Sequence, residues 1–186
     1  MGLARFAYDS LGDLLAHVPI VKEDPQTGKI IKQLEHVKTD RELSRGEFLD
    51  ICYWKSARSM RHCKRNSARA IQRTSRGVFK TRSEERKIAL LTSLHGVSVP
   101  TASAILTLTN PKRYGVIDIR VWQLLYSLGS VTENARGQGF TANHWFQYLQ
   151  ILRHHARRMK VPVRLIELTL FKVHQDHQTG TLYRPR

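Results

Sequence analysis

Apolar positions recur every three or four residues through most of this chain, the spacing of one face of an α-helix. Strand-like alternation is absent over any useful length, so the fold class is all-α. Within 1–20, Leu11, Leu14, Leu15, Val18 and Ile20 predict a short amphipathic helix ended by Pro19. The stretch 21–40 is polar, and Asp24-Pro25-Gln26-Thr27-Gly28 reads as a turn or surface loop. Ser44-Arg45-Gly46-Glu47 has the form of a capping box, and Phe48, Ile51 and Cys52 follow at helical spacing to about Arg58. A further helix spans 66–76 with a weak apolar side of Ala68, Ala70 and Ile71. Thr81-Arg82-Ser83-Glu84 forms a second capping box before a helix over 84–93. The segment 120–129 is helical and 133–139 is a loop. The longest helix covers 141–160, with Trp145, Leu149, Leu152 and Ala156 on one stripe. Pro162 opens a last helix, and 178–186 is a loose tail.

The stretch 94–122 carries the most local detail. Leu94-His95-Gly96-Val97-Ser98 is a tight turn between two apolar runs. Gly96 takes a positive φ at little cost, so the chain reverses there. Ser98 caps the next helix, and Pro100 suits its first turn. Ala102, Ser103 and Ala104 are small enough for close helix approach. The first amides of that helix point outward and suit an anion such as phosphate. After a loop of Asn110, Pro111, Lys112 and Arg113, one acid, Asp118, stands inside Val116-Ile117-Asp118-Ile119-Arg120-Val121. Asp118 reads as the N-cap of the helix over 119–128, as a working carboxylate, or as both at once.

Charge narrows the partner. Lysine and arginine number 31 against 15 acids, for a net charge of +16 over 186 residues. Such an excess points to a polyanion, nucleic acid first among them. Arg61, Lys64, Arg65, Arg69, Arg73 and Arg76 crowd around one helix, as a solvated face or a track for phosphates. Cys52 and Cys63 make no disulfide framework, and no run is long and apolar enough to span a bilayer. With no signal-peptide core at the N-terminus, the expected setting is the cytoplasm, at the nucleoid in a prokaryote. His154-His155 and the group His174, Asp176 and His177 lack metal-ligand spacing, so no metal is expected.

The stretch 94–122 resembles the helix-hairpin-helix and following acid of the DNA glycosylase superfamily of endonuclease III and the 3-methyladenine glycosylases. Leu94, Gly96, Val97 and Ala102 match the hairpin, and Val116, Ile117, Asp118 and Val121 match the acid segment. Ser98 stands where the family has its second hairpin glycine. The resemblance covers about 44–126. It implies a two-lobed helical fold in one domain over 1–186. In it, 1–43 and 141–175 pack as one lobe, and 44–128 forms a barrel-like lobe with the hairpin at 84–108.

The function implied is that of a monofunctional DNA N-glycosylase. Such an enzyme turns a damaged or modified base out of the duplex. Asp118 then stabilises the oxocarbenium-like sugar and orients the attacking water. The lysine that gives bifunctional relatives a Schiff base falls here on or beside Pro100, and Val99, Pro100 and Thr101 offer no amine. The DNA contacts implied are Gly96, Val97, Ser98, Val99 and Thr101 in the hairpin, together with Lys55 and Arg58 at the earlier helix end, Lys112 and Arg113 in the loop before the acid, and Arg120. Tyr53 and Trp54 line the base pocket, or are core aromatics next to solvated cations. No cofactor is implied: the iron–sulfur cluster of some relatives needs four cysteines near the C-terminus, where this chain has none. The partner is double-stranded DNA, bound by a monomer. The charge also fits a helix-hairpin-helix module that binds DNA without catalysis, or a basic RNA-associated protein.

Overall fold

The structure, a computed structural model, describes residues 2–3, 7–179 and 182. Its body is helical: α1 (Leu11–His17), α2 (Pro25–Gln33), α3 (Val37–Asp40), α4 (Arg45–Lys55), α5 (Met60–Cys63) and α6 (Ala68–Lys80). They are followed by α7 (Glu84–Thr92), α8 (Val99–Thr109), α9 (Ile119–Ser127), α10 (Ala142–Met159) and α11 (Val163–His177). Strand β1 (Gly2–Leu3) pairs antiparallel with β2 (Gln178–Thr179), so the start of the described chain lies beside the end of α11.

Helix α8 is the axis. Every residue from Thr101 to Thr109 is buried, as expected of a helix apolar on all sides. Its threonines are tolerated because Thr107 and Thr109 donate back to Ser103 O and Ile105 O, each at 2.7 Å. Helices α2, α4, α7 and α10 pack against it. The three helices α6, α7 and α8 alternate in direction. Asn66, just before α6, bonds His95, just after α7, and Lys87 of α7 donates from Nζ to Val78 O and Thr81 O at the far end of α6.

After α8 the chain turns at Asn110–Arg113 and runs back along it. Ile117 N donates to Ser103 Oγ at 3.1 Å, which sets Asp118 level with the first turn of α8. Gly115 lets this returning segment pass between α10 and α11. A Cβ there would lie 2.7 Å from Leu152 Cδ1 and 3.1 Å from Glu167 Cβ. Glu167 Oε2 accepts from Val116 N at 3.3 Å, and Tyr148 donates its hydroxyl to Val116 O at 2.8 Å. Arg164 holds Glu167 from one side and grips both oxygens of Glu23 from the other, at 2.7 and 3.0 Å. Burial pushes the Glu167 carboxyl up, against the pull of Arg164. One apolar core runs from Leu11 to Val173 without a break.

Several expectations are corrected. The segment from Asp24 is a helix start, not a loop. Asp24 Oδ1 accepts from the amides of Gln26 and Thr27, Pro25 supplies the first helical position, and Thr27, Leu34 and Val37 are buried. The capping box at Ser44 and Glu47 forms, but α4 ends at Lys55, where Ser56 turns extended. The box predicted at Thr81 does not form. Thr81 ends α6, which runs on to Lys80, and Ser83 caps α7 by accepting from Arg86 N. Ser98 occupies the N-cap of α8 but makes no side-chain cap bond; its hydroxyl lies 3.3 Å from Thr101 Oγ1. In the tail, Gln178–Thr179 is strand, while 180, 181 and 183–186, like 1 and 4–6, lie outside the described residues.

Candidate active site

Two local motifs meet beside the start of α8: the turn at Gly96 and the acid at 118. Gly96 adopts φ +77°, and a Cβ there would fall 2.8 Å from Cys63 N and 2.9 Å from Cys63 Sγ. The turn is further held by Asn66, which donates to His95 O at 2.9 Å and accepts from His95 N at 2.9 Å. Val97 N closes the turn on Leu94 O at 3.2 Å. The first amides of α8, at Val99 and Thr101, have no acceptor one turn earlier.

Asp118 caps α9: its backbone is extended and its Oδ1 accepts from Arg120 N at 3.0 Å. Its Oδ2 accepts from Lys55 Nζ at 2.9 Å. The two side chains keep 21% and 16% of their surface open, so the pair is reachable from solvent yet largely dry. Burial works to raise the Asp118 carboxyl. The charge and hydrogen bond of Lys55, then the amide and charge of Arg120, overcome it and hold the group below the usual carboxylate value. The site therefore offers a carboxylate at neutral pH, one oxygen tied to the helix and the other to an ammonium.

The surroundings are polar in an ordered way. The Arg120 guanidinium sits 5.1 Å above the ring of Phe171. His174 is buried, lies 3.2 Å by Nε2 from Gln123 Oε1, and has its pKa pushed down to about 4 by burial, with Arg120 adding repulsion. It is neutral at pH 7. Trp54, one residue before Lys55, donates from Nε1 to Thr27 Oγ1 at 3.0 Å, and Arg164 lies 5.6 Å over its ring.

The residues singled out from sequence divide into three groups. Lys55, Asp118 and Arg120 come together, and the chain 56–63 that leaves Lys55 leads directly under Gly96, through Cys63. Gly96, Ser98 and Val99 keep exposed or half-exposed surface, whereas Val97 and Thr101 are buried and serve the turn from within. Arg58 is exposed on the short turn after α4. Lys112 and Arg113 are elsewhere: they follow the last turn of α8, roughly 15 Å along its axis from the hairpin by a rise of about 1.5 Å per residue. Tyr53 is 65% exposed and, two residues before Lys55, projects from the far side of α4. It is neither a core aromatic nor beside Asp118. Trp54 is packed inward, with both its ring and its N–H engaged.

Residues that carry no local pattern in the sequence shape the site as much. Asn66 and Cys63 fix the turn; Ser103, Tyr148 and Glu167 fix the strand of backbone that presents Asp118. Gly115 was the one available signal. Among the described residues no three His, Cys, Asp or Glu side chains gather as a metal site would need, and no helix is long and apolar enough to cross a membrane. Comparison of the chain with protein-family models, with curated proteins and with solved structures yields no match.

Proposed function

We propose that the protein is a monofunctional DNA N-glycosylase acting on a damaged or modified base in double-stranded DNA. The observation that carries this reading is the Asp118 carboxylate: ionised, a fifth open, at the start of α9, and joined through Lys55 and 56–63 to the Gly96 turn. The amides at the start of α8 bind a phosphate of the strand. Lys55 takes the phosphate flanking the everted nucleotide, which frees Asp118 Oδ2 to face the sugar. The carboxylate then stabilises the cationic sugar as the base departs and aligns a water for attack. No amine sits at the start of α8, so water rather than lysine completes the reaction.

Asp118→Asn tests this. Asparagine keeps the cap on α9 and removes the charge. Base release from a panel of lesion-bearing duplexes falls by about a hundredfold or more, while duplex affinity is kept. The closed Lys55–Asp118 pair supports one other reading, a helix-hairpin-helix protein that binds DNA without cleaving it. In that case wild type releases no base from any duplex, and Asp118→Asn binds as well or better.

A further inference from the structure

The opposite end of α8 holds a second concentration of positive charge that the Asp118 site does not use. Two cavities lie there, of about 570 and 580 Å³, and Arg113 lines both. Six cations line the first and five the second, and no carboxylate lines either. In the first, Lys38, Arg41, Lys80 and Arg82 have no side-chain partner among the described residues. In the second, Lys112, Arg157 and Lys160 likewise have none. Three acids close to these cations in the chain are already engaged: Asp40 with His36, Glu42 with Arg76, and Glu84 with Arg113 and Arg153. Like charges gathered in excess of their counter-charges destabilise a fold by self-repulsion, and an anion relieves it. An exposed stripe on α6, Arg69, Arg73, Arg76 and Lys80 at spacings of four, three and four, runs from the hairpin end to the first cavity. The cavities are of ligand-binding size, and their walls carry lysine and arginine side chains, the residue types that contact a phosphate backbone.

We propose that this end of α8 is a second phosphate-backbone site, taking a second segment of double-stranded DNA while the hairpin end holds the first. The proposal rests on the DNA-binding part of the reading above and not on Asp118 chemistry. One molecule then bridges two duplexes. The surfaces lie at opposite ends of α8.

The test uses 12-base-pair duplexes carrying different dyes. Native mass spectrometry counts duplexes per protein, and energy transfer between the dyes reports bridging. Wild type and Asp118→Asn each hold two duplexes. The variant K38Q/R41Q/K80Q/R82Q holds one, its second affinity weakened by roughly a hundredfold or more at moderate salt, through lost counterion release. A control removing equal charge elsewhere, K22Q/K29Q/K32Q/R136Q, still holds two; these four side chains are exposed and outside both cavities. Wild type holding one duplex, or both variants losing the second alike, overturns the proposal alone. Wild type holding none overturns the DNA-binding reading as well. Absence of base release with two duplexes bound leaves the second site standing and removes only the glycosylase.

Discussion

Replacing Lys55 with methionine removes an ammonium and keeps an unbranched side chain of similar length. In the native protein that ammonium is 2.9 Å from Asp118 Oδ2, with most of both side chains covered. At the effective dielectric of about 20 that suits such a position, two unit charges about 4 Å apart attract by about 4 kcal/mol. Desolvation of the ions offsets part of this, and partial exposure screens more. The net loss expected is about 2 kcal/mol, between the ~1 of a surface pair and the roughly 3–5 of a fully buried one. For a chain of this size that lowers Tm by about 4–8 °C.

The pH dependence has a definite sign. Asp118 is held below its ordinary value of 3.8, so the pair's contribution is complete above that value and fades as pH falls through the lower native one. In the methionine variant burial is no longer opposed by Lys55, and the carboxyl rises. Calorimetry from pH 7 to pH 3 follows the Tm difference between the two proteins, and carbon NMR of the Asp118 carboxyl follows its titration. The difference is full at neutral pH and shrinks as pH falls through the raised value of the variant towards the lowered value of the native protein. A Tm difference that stays constant down to pH 3, or an unmoved Asp118 titration, refutes the assignment of Lys55 as the group that keeps this acid charged.

Two further outcomes are expected. Gly96→Ala forces alanine to φ +77° with its Cβ within 3 Å of Cys63 and His62, and loses about 3 kcal/mol, or about 6–12 °C of Tm by calorimetry; an unchanged Tm contradicts the packing under the turn. Cys52 is fully buried and its thiol is pushed up by burial and then by Cys63, so a disulfide reagent at pH 8 labels it only as fast as the protein opens. Stoichiometric labelling of the native protein within seconds contradicts that burial.

Helices with strong local signals are legible in the sequence. The stripe of Trp145, Leu149, Leu152 and Ala156 is buried in α10 as its spacing requires, and the capping box at Ser44 and Glu47 is formed. Helix α2 was hidden because proline and glycine, the usual marks of a loop, play other parts there: Pro25 sits at the first position and Gly28 is carried inside the helix. The Asp118 cap was readable from residue type and position. Its partner was not, because Lys55 lies 63 positions away, and only tertiary packing brings α4 to the start of α9. Lys112 and Arg113 show the converse. They are close to Asp118 along the chain, but the return path past Ser103 spends that length travelling along α8.

The anchoring of the Gly96 turn has a kinetic consequence. A recognition loop that must settle into shape on contact slows association and gives up part of its affinity to ordering. Here Asn66 clamps His95 by both its backbone donor and acceptor, and Cys63 fills the space beneath the glycine. On the function proposed above, the turn meets DNA already in final form, and the encounter is governed by long-range attraction and diffusion, steep in ionic strength and indifferent to loop dynamics.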